Sequence, residues 1–336
     1  MPGNPTIVFT APGEVVLEDR DVPSPDPGEL LIRTRLTLIS TGTELTILEG
    51  KYPPGSAWAR YGKFPFLAGY NNVGEVLRVG EGVAREWVGR RIATMGNHAR
   101  YVCLPPAIAR PIRPEVADEQ AVFFTIAEIV MNGVRRGGVT WGEAAVVNGL
   151  GLLGQLAVRF CRLAGARPVF AVDPAEQRRA RLPQDPGLVP VNPLQQDLAE
   201  LVATLTRGRK ADVVFEVTGN PDLIPGQLSS LRRMGRFVIL SSPKGPSLFD
   251  FHDLCNSPSF TIIGAHNMSH PKCEEGDDPW TMLRHAELFF DLLADGDLDM
   301  TPLISHREPY TEASALYEML VADRSSAMGV LLTWGD

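Results

Sequence analysis

Hydrophobic positions fall into two rhythms along this chain, and the change between them divides it. Up to about residue 117, short runs alternate apolar and polar residues between Gly and Pro breaks, at 6–10, 15–20, 29–38, 74–79, 91–95 and 99–104. Alternation with a period of two predicts half-buried strands, and so many short strands predict a β-rich, partly barrel-like domain. From residue 118 to 136 the period lengthens to that of a helix. Ala121, Phe124, Ile126, Ile129 and Val130 fall on its buried side, and Gly137-Gly138 ends it.

Between about 141 and 264, uniformly apolar runs alternate with helical stretches. Runs 144–147, 168–172, 212–217, 235–241 and 259–263 predict strands covered on both faces. Helices are predicted near 195–207 and 222–233. This alternation predicts an α/β, doubly wound parallel sheet. The tail predicts helices at 280–296 and 311–321 and a strand at 330–333, detached from that sheet and returning to complete the first domain. The expected division is therefore 1–117 completed by 280–336, with 118–279 between.

One stretch carries most of the functional information. Residues 144–173 run strand, glycine turn, amphipathic helix, second strand and terminal acid. Gly149, Gly151 and Gly154 spell G-x-G-x-x-G. The first permits a tight turn, the second lets backbone approach a pyrophosphate and the third lets helix pack on strand. The free N–H groups at the helix start then face the phosphates. Asp173 ends the second strand, where a carboxylate accepts the ribose hydroxyls of an adenosine. An acid there repels a 2′-phosphate, so NAD is expected over NADP, although Arg178 and Arg179 lie just beyond.

Composition narrows the picture. A chain of 336 residues has length for about two domains. Its formal net charge of −8 argues against nucleic acid as a partner. No apolar run reaches membrane-helix length, since 121–131 contains Glu128. The amino terminus lacks the basic and apolar regions of a signal peptide, so no membrane association and a cytoplasmic location are expected. Cys103, Cys161, Cys255 and Cys273 are scattered without a C-x-x-C pair, which fits free thiols.

Taken together, the motifs resemble the medium-chain dehydrogenase/reductase superfamily over essentially the whole chain. Ile39-Ser40-Thr41-Gly42-Thr43-Glu44-Leu45 is similar to its G-I-C-G-T-D-L, and 69–76 to its G-H-E-x-x-G-x-V. Residues 147–154 match its cofactor turn, 212–219 its D-V-x-F-E-x-x-G strand, and 235–238 a further strand. The resemblance implies a Rossmann domain beside a GroES-like catalytic domain, an NAD cofactor, a small-molecule substrate and a homodimer joined through sheet edges. It also implies cofactor contacts at Leu152, Leu153, Arg178, Thr218, Gly219, Leu240 and Ser241.

The departures are as informative. The family's zinc ligands fall on Thr41, Tyr70, Asn71 and near Thr125, which are poor zinc ligands beside thiolate, imidazole or carboxylate. The four-cysteine structural-zinc lobe is missing too. A zinc-independent branch is expected, with no metal. The spacing of His266, His270 and Cys273, followed by Glu274 and Glu275, could suit a metal only on a helix, and its Asn, Ser, Pro and Gly argue for a loop.

Without zinc, a hydrogen-bond donor must handle the substrate oxygen. Tyr70 is expected as acid/base, Thr43 as relay, Asn71 as a neutral orienting group and His98 as the base ending the relay, since the usual histidine falls on Thr46. Thr41, Glu44, Asn72, His266 and Asn267 are expected around a polar substrate. The bland alternatives are that Tyr70 merely fills the former metal cavity and that His98 is a surface loop residue. The expected activity is interconversion of a secondary alcohol and a ketone on a sugar, cyclitol or other elaborate biosynthetic substrate. The alternatives are an NAD(P)H-dependent quinone or enoyl reductase, and a non-catalytic NAD(H)-binding protein.

Overall fold

The computed structural model describes residues 3–274 and 276–335. They form two compact units, one from residues up to Thr125 together with those from Leu283 onward, the other Ile126–Met282.

The first unit is mostly sheet. Its strands are β1 (Asn4–Ala11), β2 (Glu14–Arg20), β3 (Leu30–Ile39), β4 (Phe66–Leu67), β5 (Asn72–Val79), β6 (Arg91–Thr94), β7 (Tyr101–Leu104) and β8 (Arg110–Pro111). A three-stranded sheet runs β2-β1-β4. β3 and β5 form the antiparallel spine of a second sheet, with Thr37 opposite Asn72. A seven-residue helix, α1 (Thr43–Glu49), leaves the end of β3 almost at once and stops where Gly50 turns left-handed at φ 63°. The alternating pattern of the first third gave no hint of it.

The second unit holds β9 (Ala145–Asn148), β10 (Val169–Val172), β11 (Leu188–Val191), β12 (Ala211–Glu216), β13 (Leu231–Ile239) and β14 (Thr261–Gly264). They form one parallel sheet in the order β11-β10-β9-β12-β13-β14. Helix α2 (Leu152–Leu163) connects β9 to β10. This doubly wound sheet is the one the buried runs predicted. Two details differ. β11 escaped the pattern because Pro190 interrupts it, and an edge strand tolerates the missing N–H. Val169 N and Asp173 N donate to Gly187 O and Val191 O, so residues of that parity face β10 and Pro190 faces outward. The helix expected at 222–233 is instead a series of single turns, Pro221–Leu223, Ile224–Gln227 and Leu228–Ser230, and Leu231 already opens β13. Pro225 and Gly226 sit where a long helix needs neither.

The chain then returns to the first unit. β15 (Ile304–Pro309) lies parallel to β16 (Gly329–Thr333), and β16 is antiparallel to β3, with Val330 opposite Ile39. The second sheet thus reads β15-β16-β3-β5-β6-β8, with β7 also on β3. Between them α3 (Ala313–Ala322) buries Leu316, Tyr317 and Leu320 against Ile7, Phe9, Leu45 and Trp334. The rings of Phe9 and Tyr317 meet edge to face, 5.1 Å between centroids. No helix among the described residues is long and apolar enough to cross a membrane.

The core of the second unit packs Val146, Phe170, Val214 and Phe237 together. Phe237 is fully buried on β13 between Val214 and Ile262. Phe237→Ala is expected to lower the stability of this unit by about 3–5 kcal/mol through lost transfer energy and the cavity left, read as an earlier transition on urea unfolding.

Candidate active site

In the first unit, three hydroxyls stand in a row. Tyr70 Oη lies 2.5 Å from Ser40 Oγ and 3.3 Å from Thr43 Oγ1. Ser40 follows β3, Thr43 opens α1, and Tyr70 lies two residues before β5, the strand paired with β3, so the β3–β5 ladder and the immediate helix start bring the three together. Burial pushes the Tyr70 phenol up to about 12. Hydrogen bonds from Ser40 and Thr43 pull it down and the Glu44 and Tyr61 charges push it up, all by less than burial does. At neutral pH Tyr70 therefore keeps its proton and serves as a donor.

Behind this row lies a buried carboxylate. Glu44 is only 1% exposed. One oxygen accepts the Ser40 main-chain N–H at 2.7 Å, and the other faces His98 Nε2 at 3.0 Å and accepts from the Tyr317 hydroxyl. Two expectations are corrected here. His98 is not a surface residue, because it is wholly buried with its Nε2 3.0 Å from Glu44. Glu44 is no substrate contact, because its oxygens are committed to interior donors.

The asparagines also differ from expectation. Asn71 is fully buried and donates to Leu38 O at 3.3 Å, away from the hydroxyl row. Asn72 is equally buried and donates to Thr34 Oγ1 and Asn97 O, so it holds strands together and does not reach a surface. Thr41 stays partly exposed, while Thr125 gives its hydroxyl to Tyr70 O at 3.2 Å. Thr46, at the usual relay position, bonds Gly42 O within α1.

In the second unit the glycine turn is built as its spacing implied. Gly149 has φ +96°, and a Cβ there would press on Val217 and Thr218 at 3.1 Å. Gly151 caps α2 with open space where a Cβ would stand, and a Cβ on Gly154 would lie 1.8 Å from Gly149 O. Leu152 is buried and Leu153 half-buried at the helix start. Asp173 sits at the mouth of this turn, its carboxylate accepting the N–H groups of Leu150 and Ala175, both at 2.8 Å. Arg178 Nη1 approaches it at 3.4 Å, and Arg179 bonds the Asp173 carbonyl.

Glu216, unremarked in the sequence, organises the neighbouring strand ends. Its buried carboxylate accepts the N–H groups of Thr218 and Gly219 at 2.7 and 3.0 Å, and the hydroxyls of Thr218 and Ser241. Thr218, Gly219, Leu240 and Ser241 are thus gathered at the same sheet end as the glycine turn, beside β9. The acid closing an otherwise apolar strand was the available signal. For Tyr317 it was a phenol amid helical core positions, since a buried tyrosine hydroxyl needs a partner. Ser40 carried no such signal.

His266 is exposed and its Nδ1 accepts Met268 N–H, capping a one-turn helix Asn267–Ser269. His270 Nδ1 bonds Asn267 O at 2.7 Å. Glu275 lies outside the described residues. Among the described residues no three His, Cys, Asp or Glu side chains cluster to hold a metal. At the positions where the resemblance puts zinc ligands, the side chains are two threonine hydroxyls, a protonated phenol and an amide whose nitrogen bonds Leu38 O and whose oxygen is buried without a partner. That set does not fit zinc.

With this geometry in view, the likenesses to known proteins fall into place. A family model described as zinc-binding dehydrogenase matches residues 153–279, a stretch containing none of the four positions where the zinc ligands fall. The chain is 26% identical to an L-threonine 3-dehydrogenase of Pyrococcus horikoshii, covering 97% of this chain and 98% of that one. It is 27% identical to a D-guloside 3-dehydrogenase of Shigella flexneri, over 96% and 99%. A solved structure described as a short chain alcohol dehydrogenase from Escherichia coli CFT073, complexed with NADH, superposes with a TM-score of 0.83 at 20% identity, covering 98% and 99%. These likenesses support a place for the chain beside the alcohol dehydrogenase-like members of the medium-chain dehydrogenase/reductase superfamily.

The Tyr70 geometry has a consequence for stability against pH. Folding holds this proton more tightly than the unfolded chain does, so the contribution is complete below pH 10 and is lost as pH rises toward 12. Tyr70→Phe should therefore show a shallower loss of stability between those values than the parent, by up to about 2 kcal/mol, measured by urea unfolding across alkaline pH.

Proposed function

We propose that this protein is a zinc-independent, NAD(H)-dependent oxidoreductase interconverting a secondary alcohol and a ketone on a polyhydroxylated or otherwise elaborate small molecule. The observation that carries this reading is the Ser40–Tyr70–Thr43 hydroxyl row, whose Tyr70 falls on one of the positions where the resemblance puts a zinc ligand. The hydride chemistry belongs to a bound nicotinamide. Gly149, Gly151 and Gly154 would admit its pyrophosphate, with Leu152 and Leu153 opening the helix behind it. Asp173 would meet its adenosine ribose beside Arg178, and Thr218, Gly219, Leu240 and Ser241 would line the same sheet end. Tyr70 holds a proton that a developing alkoxide, with its greater proton affinity, would draw, and Ser40 and Thr43 fix the direction of that O–H. Thr41 lies open beside them for substrate. Exposed His266 and partly exposed Asn267 are further candidates to meet substrate.

The threonine and guloside dehydrogenases among the relatives support a secondary alcohol flanked by polar groups. A second reading, a quinone or enoyl reductase using NADPH, is favoured by Arg178 and Arg179 beside Asp173, where a 2′-phosphate would find cations. We also propose a cytoplasmic homodimer formed through β14, which pairs with β13 alone among the described strands and leaves Ile262 38% exposed.

Fluorescence titration with NADH and NADPH, metal analysis of the purified protein and a polyol and ketone screen test these readings together. NADH should bind more tightly, and Asp173→Ala should weaken NADH at least tenfold while affecting NADPH less. Tyr70→Phe should lower kcat/KM by about 10²-fold or more. Tighter NADPH binding would promote the reductase reading, and stoichiometric zinc would sink the Tyr70 mechanism.

A further inference from the structure

The Glu44 cluster is larger than the hydroxyl row requires, and its protonation can be read from contacts. Glu44 accepts the Ser40 N–H and the Tyr317 O–H, and the oxygen that takes the phenol lies 3.0 Å from His98 Nε2. No arginine or lysine pairs with it among the described residues. The other nitrogen of His98, Nδ1, is buried and has no hydrogen-bond partner. It is pressed against Gly69, where even a Cβ would come within 2.7 Å of it. A charged imidazolium would bury a second N–H with nothing to accept it. The contacts therefore favour a ring that carries its proton on Nε2 and gives it to Glu44.

We propose that Glu44, His98 and Tyr317 form a positioning cluster that fixes the Ser40 main chain from behind and thereby sets the Ser40–Tyr70 contact, His98 acting as a neutral donor and not as a base. The reasoning is geometric. Ser40 reaches Tyr70 with its side chain and Glu44 with its own N–H, so the carboxylate determines where that hydroxyl stands. His98 enters from the loop before β7 and Tyr317 from α3, so two distant segments are recruited to hold one carboxylate. The titratable groups facing Glu44 are His98, Tyr317, Tyr61 and Tyr70; burial raises all three tyrosines and the Glu44 charge adds to it. This proposal rests on the oxidoreductase reading for its kinetic consequence alone.

Two measurements on the full chain test it. In protein labelled with ¹⁵N-histidine, the His98 signals, assigned by their absence in His98→Gln, should report the neutral Nε2–H form from pH 6 to 8. An imidazolium or an Nδ1–H form would overturn the proposal, whatever the enzyme turns over. Kinetically, with (2R,3R)-butanediol or L-threonine and NAD⁺ as probes, Tyr317→Phe keeps the ring against Phe9 and removes only the hydroxyl. It should lower kcat about tenfold with KM changed less than threefold. His98→Ala should do the same, and His98→Gln, whose amide can replace the Nε2 donor, should restore most of the loss with an unchanged pH profile. A Gln variant as slow as Ala and missing one limb of the pH profile would make His98 a base. An unchanged kcat in Tyr317→Phe would reduce the cluster to packing. Absence of turnover in the parent with every probe would count against the function above and leave the NMR result to decide the cluster.

Discussion

A carboxylate removed from water must find donors, and this constraint shapes the first unit. Glu44 has no cation to meet it, so the fold supplies a main-chain N–H from the end of β3, an imidazole from the loop before β7 and a phenol from α3. Burying an unpaired charge costs several kcal/mol unless each oxygen is satisfied. The cost is offset only when all three segments are in place. The C-terminal helix is therefore tied to the same point as the start of α1.

Glu216 repeats the device in the second unit. It too is fully buried, pairs with no arginine or lysine among the described residues, and is satisfied by N–H groups and hydroxyls. Where Glu44 steadies the hydroxyl row, Glu216 steadies the loops after β12 and β13 beside the glycine turn. Each carboxylate is given its direction by main-chain N–H groups, Ser40 for Glu44 and Thr218 and Gly219 for Glu216. The two units thus position their working residues by the same physical means.

The parallel sheet was legible because its strands are covered on both faces and read as short apolar runs. The glycine turn was legible because each glycine answers a separate steric demand, two of them now visible as forbidden Cβ positions. β11 was not, since Pro190 breaks the apolar run, and α1 was not, since seven residues give too little periodicity. The hydroxyl row was partly legible. Tyr70 and Thr43 were marked by their places in motifs, whereas Ser40 depended on a distance that spacing cannot give. His98, Glu44 and Asn72 failed for a common reason: polar residues read as surface when their partners lie far off in sequence. Tyr317 is 273 positions from Glu44.

The outward-facing proline of β11 bears on how the parallel sheet can grow. An incoming strand at that edge would find a ring where a donor should be, so hydrogen-bonded extension is blocked on one side and open only along β14. A sheet with one closed end and one open end can be joined to its like once and then offers no further edge. Any pairing through this sheet would therefore run along β14, and the same residue that hid β11 from its own sequence pattern removes a donor from the opposite edge.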